Sequence, residues 1–292
     1  MSYYFLLWLT LFGGYSFAAY AENETLLGVI EEPQCKDGGD TYVRAMFGKI
    51  NDEWLSLDSA KTYTEHAPKN ITWVISLDGK KLGDVTTDDP GFSSSYEWTY
   101  PRDHLLNIAP SEKIPSITNQ NQNFGGWCAA PKNRPIPVVA HGGISDPDNW
   151  KPFTPSQKQV IQMFPQFKAQ NGKAFVCPNP NSDSGVHFNY KAKDIRALKS
   201  YRNKMGHLLI SLALKHRKDM CGGLEEGWDT QTFLVNDQTS YIGANFTLVD
   251  AGDYDANGTS ELLFWLSSYN KDGYILFSPN NSVTTEYSWS YH

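Results

Sequence analysis

The chain has 292 residues, with 25 Lys and Arg against 32 Asp and Glu and a formal net charge of −7. The basic residues are scattered, so the electropositive stripe that phosphate backbones require is missing and nucleic acid is not an expected partner. Nine Trp, 16 Tyr and 15 Phe beside 23 Gly and 16 Pro favour pleated strands joined by tight turns over long helices, so the expected class is mainly β.

From Tyr3 to Ala18 the N-terminus is apolar and carries no charged side chain. Ala19-Tyr20-Ala21 then precedes Glu22 in the small-x-small form of a signal-peptidase site, which predicts a signal peptide over 1–21 and a secreted or periplasmic protein with no membrane span after cleavage. The n-region has no Lys or Arg, and an uncleaved anchor is the alternative. Export is expected under either. Cys35, Cys128, Cys177 and Cys221 have no CxxC spacing, and an even count in an oxidising compartment reads as two disulfides whose three connectivities stay open.

Residues 22–40 are polar with little periodicity and read as an extended lead-in, with a β-rich domain over 41–292. Strands are expected at Tyr42 to Phe47, Trp54 to Leu57, Ile71 to Leu77 and Lys81 to Val85. Asp78-Gly79 between the last two is a hairpin signal, because glycine accepts the positive φ of a two-residue turn. Residues 111–126 read as a long surface loop. Ile136 to Ala140 is a short strand whose Pro137 suits an edge or first position. Residues 145–203 read as an excursion from the β scaffold. It holds one helix from Thr154 to Phe164, with Thr154 as cap, Pro155 at the first position and Val160, Ile161 and Phe164 as its apolar side. Cys177 to Tyr190 reads as irregular. Strands return at His207 to Leu214 and Thr230 to Val235. Trp73 to Gly83 can be laid on Phe233 to Gly243 with aromatic, aliphatic, turn and Gly in register, the pattern of repeated antiparallel hairpins.

The most specific feature is Asp253-Tyr-Asp-Ala-Asn-Gly-Thr-Ser-Glu261. Counting Asp253 as position one, oxygens stand at Asp253, Asp255, Asn257 and Glu261, Gly258 permits the bend, and the Thr259 carbonyl is available at seven. Calcium, a hard cation, takes about six to eight oxygens, and alternate side chains on a curled loop can converge on it; the alternative is an Asx-rich turn whose carboxylates cap backbone amides without metal. An EF-hand would need Glu at position twelve, which is Phe264 here. Phe246 to Val249 before the loop and Leu262 to Leu266 after it are strand-like.

Leu248-Val-Asp-Ala-Gly-Asp-Tyr-Asp-Ala-Asn-Gly-Thr-Ser-Glu-Leu-Leu-Phe264 resembles the FG-GAP or VCBS repeat of integrin-α-type β-propellers and related exported bacterial proteins. Tyr269 to Phe277 resembles the next hairpin of such a unit. The clear resemblance covers about residues 230–292. It implies a propeller-like fold and structural calcium held by Asp253, Asp255, Asn257, the Thr259 carbonyl and Glu261.

Other constellations point to other chemistries. His141-Gly142-Gly143 resembles the oxyanion loop of esterases, but no Gly-x-Ser-x-Gly elbow accompanies it. Asp146 and Asp148, with Glu225 and Glu226, offer the carboxylate pairs of a glycosidase. Trp127, Trp150, Trp228, Trp265 and Trp289 could line a sugar platform, though in a β-rich chain most Trp are packing. The leading expectation is an exported, calcium-stabilised, non-enzymatic module that binds a protein or glycan through its loops. An exported carbohydrate-active enzyme on the same scaffold is the alternative, and it requires clustered acids in a cleft with a perturbed pKa.

Overall fold

Asp78 and Gly79 both take positive φ, 51° and 74°, the mirror-image turn whose twist matches the flanking strands. The hairpin they close belongs to the first of three antiparallel sheets. The computed structural model describes residues 24–32, 41–57, 71–87, 96–97, 100–101, 105–108, 112–115, 124, 130–171, 174–179, 182–215, 230–279 and 283–290. The expected signal peptide, Cys35, Cys128, Cys221, Trp127, Trp228, Glu225, Glu226 and most of the 111–126 loop lie outside the described residues.

The N-terminal sheet contains β1 (Thr25–Glu31), β2 (Tyr42–Ile50), β3 (Glu53–Ser56), β4 (Thr72–Leu77) and β5 (Lys80–Thr86). Tyr96–Glu97 (β6) and Tyr100–Pro101 (β7) pair separately, and the sheet is completed by β8 (Leu105–Asn107) and β9 (Ile136–Ala140). Its order is β3-β2-β1-β9-β4-β5, with β8 also on β2. Thr25–Glu31 therefore does not lie in a lead-in: it is an inner strand, buried at every position. Gly28 and the flanking acids hide it from a periodicity reading. The glycine is required because a Cβ there would lie 2.6 Å from the Arg44 carbonyl oxygen. Pro137 is likewise on an inner strand. The ladder from β4 to β9 covers only Val138 and Val139, so the proline sits before it begins.

An intermediate sheet follows, built from β10 (Lys151–Phe153), β13 (Ile195–Arg202), β14 (Leu208–Leu214), β15 (Gln231–Val235) and β16 (Thr239–Ala244) in that order. Residues 145–203 are thus partly integral to a sheet. Between β10 and β13 run two short helices, α1 (Gln157–Gln162) and α2 (Phe164–Asn171), and a hairpin of β11 (Ala174–Asn179) with β12 (Ser182–Asn189). The segment from Cys177 that reads as irregular is therefore mostly paired strand. Ser156, two residues beyond the expected Thr154, caps α1, since only Ser156 and Gln159 can close a reciprocal capping box. Val160 is buried and Ile161 is exposed. The hairpins at Trp73 and Phe233 both form, one in each of these sheets.

The C-terminal sheet is an up-and-down meander of β17 (Phe246–Gly252), β18 (Glu261–Ser268), β19 (Lys271–Ser278) and β20 (Val283–Ser290). It is the inner layer. Leu263, Trp265, Tyr274 and Leu276 join Leu27, Val29, Phe47 and Val139 of the N-terminal sheet in one core. Leu262, Phe264, Ile275 and Phe277 face the other way and pack with Leu209 and Leu234 of the intermediate sheet. Alternate side chains leave opposite faces of a strand, so burial on both faces requires the continuous apolar run Leu262 to Leu266. The far face of the intermediate sheet is covered by Val160, Met163 and Phe167 of the helices. Trp150 and Trp265 are buried and Trp289 packs against the first core, so these three are packing rather than an exposed platform.

The fold is mainly β, three stacked antiparallel sheets with two short helices, and no closed ring of blades is found among the described residues. No helix among them is long and apolar enough to cross a membrane.

Candidate metal centre

The acidic loop connects β17 to β18, so sheet strands anchor both of its ends. Ala256 and Gly258 take positive φ, 57° and 91°, and the backbone curls so that amides point inward. Asp253 accepts from the Asn257 amide through Oδ1 at 2.8 Å and from the Gly258 amide through Oδ2 at 2.9 Å. Asn257 Oδ1 accepts from the Thr259 amide at 2.9 Å, and Glu261 Oε2 from the Tyr254 amide at 2.9 Å. These are the Asx-type bonds that hold a tight loop in shape. Each carboxylate oxygen keeps a second lone pair for another partner.

The bend draws three carboxylates together. One oxygen each from Asp253, Asp255 and Glu261 lies within 4.8 Å of the others, although two of these side chains belong to buried residues. Burial and the nearby Asp255 push the Glu261 carboxyl up to about 8, against the opposing pull of the Tyr254 amide and Lys49. Burial also raises the Asp253 carboxyl, with Asp255 and Asp148 adding to the rise and the Gly258 and Asn257 amides opposing it. Gathering like charges in a buried site costs free energy that a bound cation removes. A set of hard carboxylate oxygens suits calcium over thiophilic metals.

Residues remote in the chain complete the surroundings. Lys49, on β2 of the N-terminal sheet, donates to Asp255 Oδ2 at 2.8 Å. Ser260 is held from behind: its hydroxyl donates to Asp146 Oδ1 at 2.7 Å and its amide to Asp148 Oδ2 at 2.9 Å. The pair Asp146 and Asp148, a glycosidase candidate in the sequence, is thus occupied in bracing this loop and in capping the amides of Asn149 and Trp150.

His141-Gly142-Gly143 docks against the same loop. The Gly143 amide donates to the Tyr254 carbonyl at 3.1 Å, and the Asp253 amide donates to the Ser145 carbonyl at 2.6 Å. A Cβ on Gly142 or Gly143 would lie 2.2 Å from the Tyr254 or Asp253 carbonyl oxygen respectively. Close backbone approach therefore accounts for the glycine pair, and the Gly143 amide is already engaged. Nothing in the sequence near 253–261 points to Lys49, Gly143 or Asp148; their contribution is visible only once the sheets are stacked.

No family model, curated protein or solved structure matches the chain.

Proposed function

We propose that the chain is a calcium-stabilised β-rich binding module, with the Asp253–Glu261 loop as a structural metal site. The observation that carries the reading is the convergence of the Asp253, Asp255 and Glu261 carboxylates within 4.8 Å on a loop whose geometry is fixed from three sides. Asn257 and the Thr259 carbonyl are proposed to complete the oxygen set, with waters filling the remainder of the six to eight positions calcium takes. Its role is to fix the bend between β17 and β18 against the neighbouring 141–148 segment, in the place that the Lys49 ammonium partly serves when no ion is bound.

The C-terminal meander is proposed as one blade of a propeller-like arc. Support comes from its four sequentially paired antiparallel strands and from its covering by a sheet on each face. Export as a secreted or periplasmic protein, and a protein or glycan partner, belong to the same proposal.

The enzyme reading requires acids in a cleft with a perturbed pKa, and Asp250 meets part of it: burial drives its carboxyl up to about 7 despite the facing Arg134. Both of its oxygens are committed, however, one to Arg134 and the Asp78 amide and the other to the Tyr254 hydroxyl. That arrangement favours a structural role. Calorimetric titration of calcium into the metal-free protein tests the proposal. One calcium per chain with a raised melting temperature supports it, and identical melting curves in calcium and in chelator would sink it.

A further inference from the structure

Asn257-Gly258, on the bend of the acidic loop, is one of two Asn-Gly pairs in the chain, the other being Asn171-Gly172. Such a pair carries its own chemistry. The main-chain nitrogen of the second residue can attack the side-chain carbon of the first and close a five-membered imide, and glycine has no Cβ to hinder that approach. Asn257 and Gly258 are both exposed, and a Cβ built on Gly258 would meet nothing within 4 Å. Packing therefore leaves the ring room to form and water access to it.

The loop ties down both reacting groups. The Gly258 amide donates to Asp253 Oδ2 at 2.9 Å, and Asn257 Oδ1 accepts from the Thr259 amide at 2.9 Å. Attack requires the nitrogen to lose its proton and to bring its lone pair onto Asn257 Cγ in line for bond formation. A carboxylate is too weak a base to take an amide proton, and the negative charge gathered by Asp253, Asp255 and Glu261 disfavours an anionic nitrogen beside it. Asn171 is held differently. Its Oδ1 accepts from Gln231 Nε2 at 3.1 Å and its Nδ2 donates to the Phe167 carbonyl at 3.2 Å, a restraint in which Asp253 has no part.

We propose that Asn257 is a self-modifying site latched by Asp253. When the latch opens, the bond from Gly258 N to Asn257 Cγ forms, the Cγ–Nδ2 bond breaks, and Nδ2 leaves as ammonia carrying the Gly258 proton. One water then opens the imide. Cleavage of the new Cγ–N bond leaves aspartate, and cleavage at the main-chain carbonyl leaves isoaspartate, with the backbone rerouted through Cβ and the side chain. The balance is one water in and one ammonia out, with no oxidant or cofactor. The consequence for binding rests on the reading of the loop as a metal site. Isoaspartate shifts the Gly258 and Thr259 amides off their partners and undoes the bend that gathers the carboxylates, so the modification is a covalent record of loop opening.

The test incubates the full chain in mildly alkaline chelator buffer and follows each Asn-Gly peptide by mass spectrometry for the exchange of NH2 by OH, with the isoaspartate form separated by chromatography. Asn171 serves as the internal reference. Expected is conversion of Asn257 at least fivefold faster in folded D253A than in the folded parent, with Asn171 converting equally in both. The urea-unfolded parent should convert Asn257 at least tenfold faster than the folded parent. D253N, isosteric and with one acceptor fewer, takes the place of D253A if that variant does not melt cooperatively. No conversion of Asn257 in urea, equal rates in the folded and unfolded parent, or a folded variant that leaves Asn257 unchanged or speeds Asn171 as much would each overturn the proposal. The isoaspartate fraction should bind calcium at least tenfold more weakly than fresh protein, and undiminished binding would overturn its regulatory consequence. Fresh protein that binds no calcium would sink the metal reading alone, because the rate comparison contains no ion.

Discussion

Lys49 Nζ stands 2.8 Å from Asp255 Oδ2 across 206 residues of chain, joining the N-terminal sheet to the loop of the inner one. In the metal-free loop this ammonium is the cation beside three gathered carboxylates, and it competes for the place a divalent ion would take. Lys49→Met should therefore separate two properties. Calcium affinity should rise about fivefold, equivalent to about 1 kcal/mol after allowing for the partial exposure of the lysine. The metal-free melting temperature should fall by about 2–4 °C. Calorimetry and paired melting curves measure both, and weaker calcium binding would contradict the competition.

Asp255→Ala removes one of the three converging carboxylates. Its melting temperature in calcium should fall to that of the chelated parent protein, and the calcium heat should drop at least tenfold in affinity. Retention of the parent's calcium-dependent melting would place the ion elsewhere.

Proton linkage gives a third check. Glu261 is raised to about 8 in the folded, metal-free chain, so the folded state holds a proton that the unfolded state releases near the ordinary carboxylate value. The associated stability is complete below that ordinary value and is lost as pH rises through about 8. Melting temperature in chelator should decline from pH 5 to 8.5, by no more than about 5 kcal/mol in stability. Calcium, by holding Glu261 ionised, should flatten the decline. Near pH 7 calcium uptake should release close to one proton, visible as a dependence of binding heat on buffer ionisation enthalpy. Zero proton release would show that Glu261 is ionised before the ion arrives.

Gly143→Ala places a methyl group against the Asp253 carbonyl oxygen, 2.2 Å from an ideal Cβ. A loss of about 1–3 kcal/mol is expected from overpacking, together with weaker calcium binding, because the 141–148 segment fixes the loop. An unchanged melting curve would mean that the two loops are not docked in solution.

Ser260→Ala tests the brace more gently. It deletes the hydroxyl's bond to Asp146 and the one it accepts from the Asp148 amide, while keeping the Ser260 amide bond to Asp148, and about 1–2 kcal/mol should be lost. Denaturant unfolding at fixed calcium resolves a change of that size, and a stabilised variant would contradict the assignment.

Much of the local structure was legible because it is written locally. Asp78-Gly79 sits between two alternating runs, and Leu262 to Leu266 is a run of strand formers, so both elements are where the pattern puts them. The spacing of Asp253, Asp255 and Glu261 on a bend with Gly258 likewise foretold three convergent acids. Stacking was not legible: the sequence expectation of propeller-like hairpins contains nothing that puts the last sheet between the other two. The supports of the loop escaped for the same reason. Asp146, Asp148 and the glycine pair at 142–143 each suggested catalysis when read alone, and only their contact with residues more than 100 positions away reveals that they hold backbone in place.

The inner position of β17 to β20 has a consequence for biogenesis. Synthesis runs from the N-terminus, so the slab that separates the other two sheets leaves the ribosome after both of them. Until then Leu27, Val29 and Phe47 on one side, and Leu209 and Leu234 on the other, have no surface to meet. A nascent chain stopped before Phe246 would carry two sticky faces and should aggregate. Acquisition of the native core therefore waits on the arrival of β17 to β20, whatever the order in which the other two sheets form.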